Sequence, residues 1–409
     1  MLAQGLDQVI ISPETLPHRS TDAISGGTSI KRVTLTNFRC YGHQSLDVSQ
    51  GPVVLTGPNG AGKTNLLEGI SFLVPGRGLR RAKLSDPSRR DPSCNKPFQL
   101  PWGVAAVLRT LKGYVDIGTA FEAATEGRRD KRIVKVNGEL ARNQSVLSEH
   151  ASILWLTPQM DRLFLEGPGA RRRFLDRLVF DTDPAHAGRV SAYEHAQRER
   201  MRLLRSGNPD ADWLVALENT MVTRGIAVTA ARLDIVRRLA QHLIRPNSVE
   251  SFPSVEIKAI GEIETWLNEG PALEAEDRFR VRLSLERGRD TTEGRAKTGP
   301  HRSDFFVRHL GNGQEAAICS TGEQKALLVS LILSTARMRA AEHGASPMLL
   351  LDEIAAHLDV QRLNALFDEI FYLGAQVWMT GTDESLFRSL SGKAQFFAVT
   401  NGSIVNKNI

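Results

Sequence analysis

Eight residues constrain this chain more than any others: Gly57-Pro58-Asn59-Gly60-Ala61-Gly62-Lys63-Thr64. An apolar run, Val53-Val54-Leu55-Thr56, precedes them, and a helix-like run from Asn65 to Leu73 follows. Strand, glycine-rich loop and helix in this order make a phosphate-binding P-loop. Gly57, Gly60 and Gly62 let backbone N–H groups converge on phosphate oxygens without Cβ clashes. The helix N-terminus adds the positive end of its dipole. Asn59, Gly60, Ala61, Gly62, Lys63, Thr64 and Asn65 are then the ATP-binding set. Lys63 reaches the β and γ phosphates, and Thr64 offers its hydroxyl to Mg2+. The bland alternative, an incidental glycine-rich turn, is disfavoured by the flanking strand and helix.

A second segment completes a nucleotide machinery. Pro347-Met348-Leu349-Leu350-Leu351-Asp352-Glu353 is an apolar run ending in two carboxylates. Buried parallel strands read as continuous apolar runs, and ligands sit at their carboxyl ends. Asp352 is placed to hold Mg2+ directly or through water. Glu353 is placed to polarise a water in line with the γ-phosphate. Alone this would be a plain strand end; paired with the upstream P-loop it reads as catalytic.

Just before it, Ser320-Thr321-Gly322-Glu323-Gln324-Lys325 opens a helix-like run from Gln324 to Ala341. Ser320 and Gly322 at a helix start make another anion-binding terminus. Ser320 or Thr321 can equally cap the helix, with Glu323 completing a capping box. The two roles are compatible.

Around these motifs the patterning is that of an α/β chain. Lys31 to Phe38 alternates as a strand, and Ser45 to Val48 and Val53 to Thr56 continue the β region. Leu73 to Pro101 is rich in Pro, Arg and Ser and reads as a long surface insertion. Gly103 to Thr110, Gly113 to Phe121 and Arg132 to Val136 are strand-like, with Asn137-Gly138 as a hairpin turn, so an antiparallel β layer is expected. From about Arg171 helical spacing takes over. Two apolar stripes flank Ser206-Gly207-Asn208-Pro209-Asp210 as an αα-hairpin, either core or an inserted arm. Ser254 to Ile260 reads as a short strand, Pro271 to Gly288 is ambiguous, and Ser303 to Ile409 alternates strand and helix.

With 409 residues the chain can bury a large core in two lobes. No apolar run approaches the roughly 20 residues of a membrane span. Met1 to Ser29 lacks the pattern of a secretory signal and reads as a flexible polar tail. Three widely spaced cysteines, Cys40, Cys94 and Cys319, argue against a disulfide framework or a zinc site and point to a reducing cytoplasm. The net charge of +6 permits nucleic-acid binding without demanding it. Its distribution is more telling: arginines cluster at Arg77, Arg80 and Arg81, at Arg128 and Arg129, and at Arg171 and Arg172. Any one cluster suits a solvated face; three in one ATPase favour a polyanion partner.

Taken together, these segments resemble the ATPase head of the ABC class in its SMC-like branch, and more narrowly the RecF family of bacterial recombination-mediator ATPases. The Walker A motif is Gly57 to Thr64, Walker B is Met348 to Glu353, and the signature is Ser320 to Glu323. Ala355-Ala356-His357-Leu358-Asp359 is similar to a D-loop. Val33 to Arg39, Gly167 to Asp176, Gly299-Pro300-His301-Arg302-Ser303-Asp304 and Gln376 to Asp383 extend the likeness over about Lys31 to Asn401. The signature reads Ser-Thr-Gly-Glu where transporters have Ser-Gly-Gly-Gln. Thr380, Gly381, Thr382 and Asp383 stand where transporters carry a switch histidine. Thr382 or Asp383 is the candidate sensor, and Gln159 is the candidate Q-loop residue.

The resemblance implies an α/β fold: an ABC-type P-loop ATPase head, a mixed β-sheet with helices plus an antiparallel β layer, with an inserted α-helical arm domain. It divides the chain into a tail over 1–29, a first ATPase part over 30–165, a mostly helical insertion over 166–290 and a second ATPase part over 291–409. It implies a head-to-tail, ATP-dependent homodimer. Lys63, Thr64, Asp352 and Glu353 of one protomer would face Ser320, Thr321, Gly322 and Glu323 of the other, with Asp359 bridging. It further implies slow ATP hydrolysis, DNA at single-strand/double-strand junctions and gaps as cargo, and RecR and RecO as partners. A non-hydrolytic ATP-locked scaffold and a transporter ATPase subunit are the competing readings.

Overall fold

The computed structural model describes residues 27–89, 100–123, 130–180, 182–207, 210–243, 252–356 and 358–407. They divide into two compact units. One gathers the described parts of Met1–Met160, Val249–Phe252 and Ala336–Ile409; the other, those of Asp161–Ser248 and Pro253–Thr335. The chain therefore leaves the first unit after the Ile153–Leu156 strand and returns to it for Met348–Leu351.

Among the described residues the first unit holds two six-stranded sheets. One is antiparallel throughout, running through Tyr41–Asp47, Ser29–Phe38, Gly103–Thr110, Gly113–Glu122, Lys131–Val136 and Glu139–Leu140. The Asn137-Gly138 turn joins its last two strands, with φ of 50° and 84° as a two-residue hairpin of matching twist requires. The other sheet runs Ser403–Lys407, Gln395–Thr400, Val53–Thr56, Val377–Gly381, Met348–Leu351 and Ile153–Leu156. Only its Ser403–Lys407 edge strand pairs antiparallel. Four of its strands, VVLT, VWMTG, MLLL and ILWL, are buried along their whole length, which is why they read as largely apolar runs.

The Lys63–Ser71 helix shares one apolar core with both sheets. Its Leu66 and Ile70 join Leu35 and Phe38 of the antiparallel sheet and Val53, Leu55 and Trp378 of the parallel one. A Cβ on Gly69 of this helix would come within 2.5 Å of Leu35, so glycine there lets helix and sheet approach. Register then sets the site. Thr380 pairs with Leu55 and Gly381 with Thr56, while Leu351 pairs with Met379. The P-loop, Asp352 and Thr380 thus leave the same carboxyl edge of the sheet, where parallel sheets bind ligands.

The second unit is mostly helical, with Pro168–Phe180, His186–Arg205, Ala211–Leu243, Glu262–Glu269, Ala272–Leu285 and Arg287–Glu293, and one antiparallel pair of Val255–Ile260 with Asp304–His309. Pro271 to Gly288, ambiguous by periodicity, is helical over Ala272–Leu285. Tyr193, Met221, Val222, Ile226, Phe279 and Leu283 form its apolar core. No helix among the described residues is long and apolar enough to cross a membrane. Residues 1–26, most of the expected tail, lie outside the described residues; Ser29 already opens the first strand.

Candidate nucleotide-binding site

The loop between Thr56 and the Lys63–Ser71 helix owes its shape to glycine. Gly57 has φ of 151°, and a Cβ there would lie 2.2 Å from the Val399 carbonyl oxygen. Gly62 has φ of 118° and would meet Cys40 Sγ at 2.8 Å. Both positions are closed to other residues by backbone strain and by contact. The Tyr41 hydroxyl donates to the Gly62 carbonyl at 3.0 Å, and the Gly402 N–H donates to the Ala61 carbonyl at 3.0 Å, which pins the loop.

Asn59, Gly60, Gly62, Lys63, Thr64, Asn65, Arg80 and Glu353 line one cavity of about 140 Å³. Lys63 Nζ donates to the Gly57 and Pro58 carbonyls at 2.6 and 2.9 Å. Burial pulls its pKa down, opposed by the nearby Glu353 and Asp352 carboxylates. Thr64 Oγ1 donates to Asp352 at 2.9 and 3.0 Å. Burial pushes the Asp352 carboxyl up, against the lowering effect of its hydrogen bonds from Thr380 and Thr64. A buried carboxylate beside a hydroxyl, with its charged form penalised by desolvation, is a hard-oxygen pair that a divalent cation would satisfy. The residues therefore fit Mg2+, which Thr64 and Asp352 would hold.

Thr380 joins the site although sequence spacing favoured its neighbours. Its hydroxyl donates to Asp352 Oδ1 at 2.8 Å and accepts the Glu353 N–H at 2.7 Å. Glu353 sits in the left-handed region at φ of 49°, which turns it out of the strand line and into the cavity wall. Thr382 is exposed, and Asp383 caps the following turn by accepting the Ser385 N–H at 2.8 Å. Gln159 is exposed on the short Pro158–Arg162 turn. The sequence signal for Thr380 was its place at the carboxyl end of the adjacent strand, legible only once the strand order is known.

A charged layer lies behind the P-loop helix. Glu68, fully buried, accepts from Arg39 at 2.7 and 2.9 Å and from Arg80 at 2.7 Å. Arg80 also donates to Asn65 Oδ1 at 2.8 Å. Arg80, grouped by sequence with the DNA-contact candidates, thus has its guanidinium at the nucleotide cavity. Arg77 and Arg81 are exposed. Arg171 forks onto Asp304 at 2.7 Å through two nitrogens, and this bond holds its pKa up. Arg172 donates to the Ser303 carbonyl at 2.7 Å. Arg128 and Arg129 lie outside the described residues.

In the second unit, Ser320 and Glu323 form a reciprocal capping box. The Ser320 N–H and hydroxyl both donate to Glu323 Oε2, at 2.8 and 2.7 Å, and the Glu323 N–H donates back to Ser320 Oγ at 3.3 Å. These bonds hold the Glu323 carboxyl low. Ser320 and Thr321 are exposed and Gly322 is half-buried, so this helix start faces outward and can meet an anion. In the first unit Asp359 caps the Val360–Leu373 helix, accepting the Arg362 N–H at 2.8 Å, and stays exposed.

The chain matches known proteins over nearly its whole length. The family described as the RecF/RecN/SMC N terminal domain matches residues 29–404. The DNA replication and repair protein RecF of Mesorhizobium japonicum is 47% identical over 378 residues, covering 92% of this chain and 97% of that protein. RecF of Rhizobium meliloti is 46% identical, over 92% of this chain and 98% of its own. Among solved structures, the recombination mediator protein RecF with ATP superposes with a TM-score of 0.78 at 22% identity, covering 95% and 100% of the two chains. The Smc head domain of Pyrococcus furiosus does so at 0.52 and 15%, covering 93% and 96%. The architecture is that of an ABC-type ATPase head, and the chain belongs to the RecF/RecN/SMC family and, within it, to the RecF proteins.

Proposed function

We propose that this chain is a MgATP-dependent DNA-binding protein of recombinational repair and replication that works as a head-to-tail homodimer. One observation carries the reading: Lys63, Thr64 and Glu353 converge on one cavity with Asp352 directly behind Thr64. The names borne by its relatives, DNA replication and repair protein RecF, and a neighbour described in the RecFOR pathway with ATP supply the cellular context.

In this account Lys63 leaves the Gly57 and Pro58 carbonyls for the stronger acceptors of a triphosphate. Thr64 and Asp352 would hold Mg2+, which would supply charge screening for the phosphates and Lewis-acid polarisation of the scissile group. Glu353, fixed by Thr380, orients the attacking water. The outward-facing Ser320 and Gly322 of a second copy close on the γ-phosphate, and Asp359 lies at the seam. Each nucleotide then joins two subunits, so ATP tightens the dimer and the dimer tightens ATP by the same factor. Slow hydrolysis releases the pair from a DNA junction or gap, with RecR and RecO as partners. Sedimentation with and without MgATP tests this. Wild type should pair and then relax as ATP is consumed, and Glu353→Gln should stay paired. A single subunit at micromolar concentration with saturating MgATP and gapped DNA would end the account.

A further inference from the structure

Five guanidinium groups line one cavity of about 440 Å³ within the second unit. Arg198, Arg202 and Arg205 come from the His186–Arg205 helix, and Arg295 and Arg302 from the segment after the Arg287–Glu293 helix. All five are exposed. Their carboxylate company is thin. Arg198 stands 3.8 Å from Glu194 and Arg295 stands 3.9 Å from Glu293, which already holds Arg289 at 3.0 Å and Lys297 at 2.5 Å. Arg202 has a close partner in Glu199 at 2.5 Å. Arg205 donates to the Gly294 carbonyl at 2.7 Å, and Arg302 makes no ion pair among the described residues. The cavity is net positive.

Its far wall is built. His301 Nε2 donates to the Ala296 carbonyl at 3.0 Å, so Nδ1 accepts from the Tyr193 hydroxyl at 2.7 Å. Tyr193 belongs to the buried core of the unit. This clamp ties the segment carrying Arg295 and Arg302 to the helix carrying the other three. Arg302 belongs to the Gly299–Asp304 motif, which the nucleotide chemistry leaves unexplained.

The shape selects the ligand. Arg198, Arg202 and Arg205 fall at i, i+4 and i+7, one helix face about 10 Å long. Along the duplex axis one strand carries a phosphate about every 3.4 Å, so a stripe of this length can meet more than one phosphate of a strand, more than a single free anion uses. The apolar lining is limited to Met201, half-buried, and Ala296, buried, whereas a protein partner would look for an apolar centre. Arginine forks suit phosphate oxygens. We propose that this arginine-lined cavity is a phosphodiester-binding site that grips the backbone of duplex DNA. It rests on the DNA-binding reading above and names where in the second unit the backbone sits.

Fluorescence anisotropy with a labelled gapped duplex, MgATP and the full chain tests it across a salt series. Arg198→Ala/Arg202→Ala/Arg302→Ala should weaken binding at least about tenfold and flatten the slope of log K against log salt by roughly 2 to 3. The three-lysine counterpart should recover most of both, and MgATP-driven pairing should stay as in wild type. Unchanged affinity and slope in the alanine variant would overturn the site while leaving DNA binding in place. A wild-type chain that binds no duplex at low salt would instead sink the underlying reading. Direct binding of millimolar inorganic phosphate that needs these arginines, with duplex affinity unchanged in the alanine variant, would assign the cavity to a free anion and overturn the backbone proposal.

Discussion

The Thr380 hydroxyl lies 2.8 Å from Asp352 Oδ1 and takes the Glu353 N–H at 2.7 Å. One side chain on one parallel strand therefore holds the Asp352 carboxylate and the Glu353 backbone at the end of the next. Thr380→Val keeps the shape and removes both bonds. It leaves the Glu353 N–H unsatisfied, at a cost of about 1–3 kcal/mol. Phosphate release should fall at least about tenfold, which corresponds to about 1.4 kcal/mol on the barrier. Thr380→Ser should restore most of it. A valine variant with wild-type turnover and stability would show the hydroxyl to be dispensable.

Lys63 and Ser320 separate binding from pairing. Lys63→Met removes the ammonium that meets the phosphates, so MgATP should no longer change the mass seen by light scattering. Ser320→Arg breaks the outward-facing cap and should spare nucleotide binding by the single subunit while blocking pairing. If pairing survives Ser320→Arg, the second surface of the nucleotide lies elsewhere.

Arg200 is fully buried and joins Glu218 at 2.9 Å, Asp290 at 2.6 Å and the Leu283 carbonyl at 2.8 Å. Arg200→Met strands a fully buried Asp290 carboxylate. Urea unfolding should report a loss of about 3–5 kcal/mol. ATP affinity, governed by the other unit, should be close to unchanged.

His301 makes the second unit acid-sensitive. Burial holds its pKa at about 4, below the usual 6.5, so the folded chain keeps it neutral. As pH falls below 6.5 the unfolded chain takes the proton first. The stability tied to His301 is thus complete above pH 6.5 and is lost as pH approaches 4. The depression corresponds to about 3 kcal/mol. Urea unfolding at pH 7 and pH 4.5 should show a smaller drop for His301→Gln than for wild type; equal drops would place the acid sensitivity elsewhere.

Much of this protein is local and so legible in the chain. Glycines at 57, 60 and 62, the four-residue apolar strands and the Asn137-Gly138 turn obey short-range sterics and pairing, and each lies where its residues require. The Ser320–Glu323 capping box spans four residues and needs no distant partner. Periodicity failed at Pro271 to Gly288 because Arg and Glu occupy much of that helix and only Ala275, Phe279 and Leu283 are buried.

What only the tertiary structure decided are the contacts between segments far apart in sequence. Thr380 meets Asp352 because their strands are neighbours in register. Arg80 turns toward Asn65 and Glu68, and Arg171 toward Asp304, although each sits in a basic run that could equally have faced solvent. Sequence determines which groups a segment carries and the backbone they can adopt within a few residues. Which long side chain finds which buried carboxylate is set by packing, since only the folded core brings the two together and removes the water that would otherwise satisfy both.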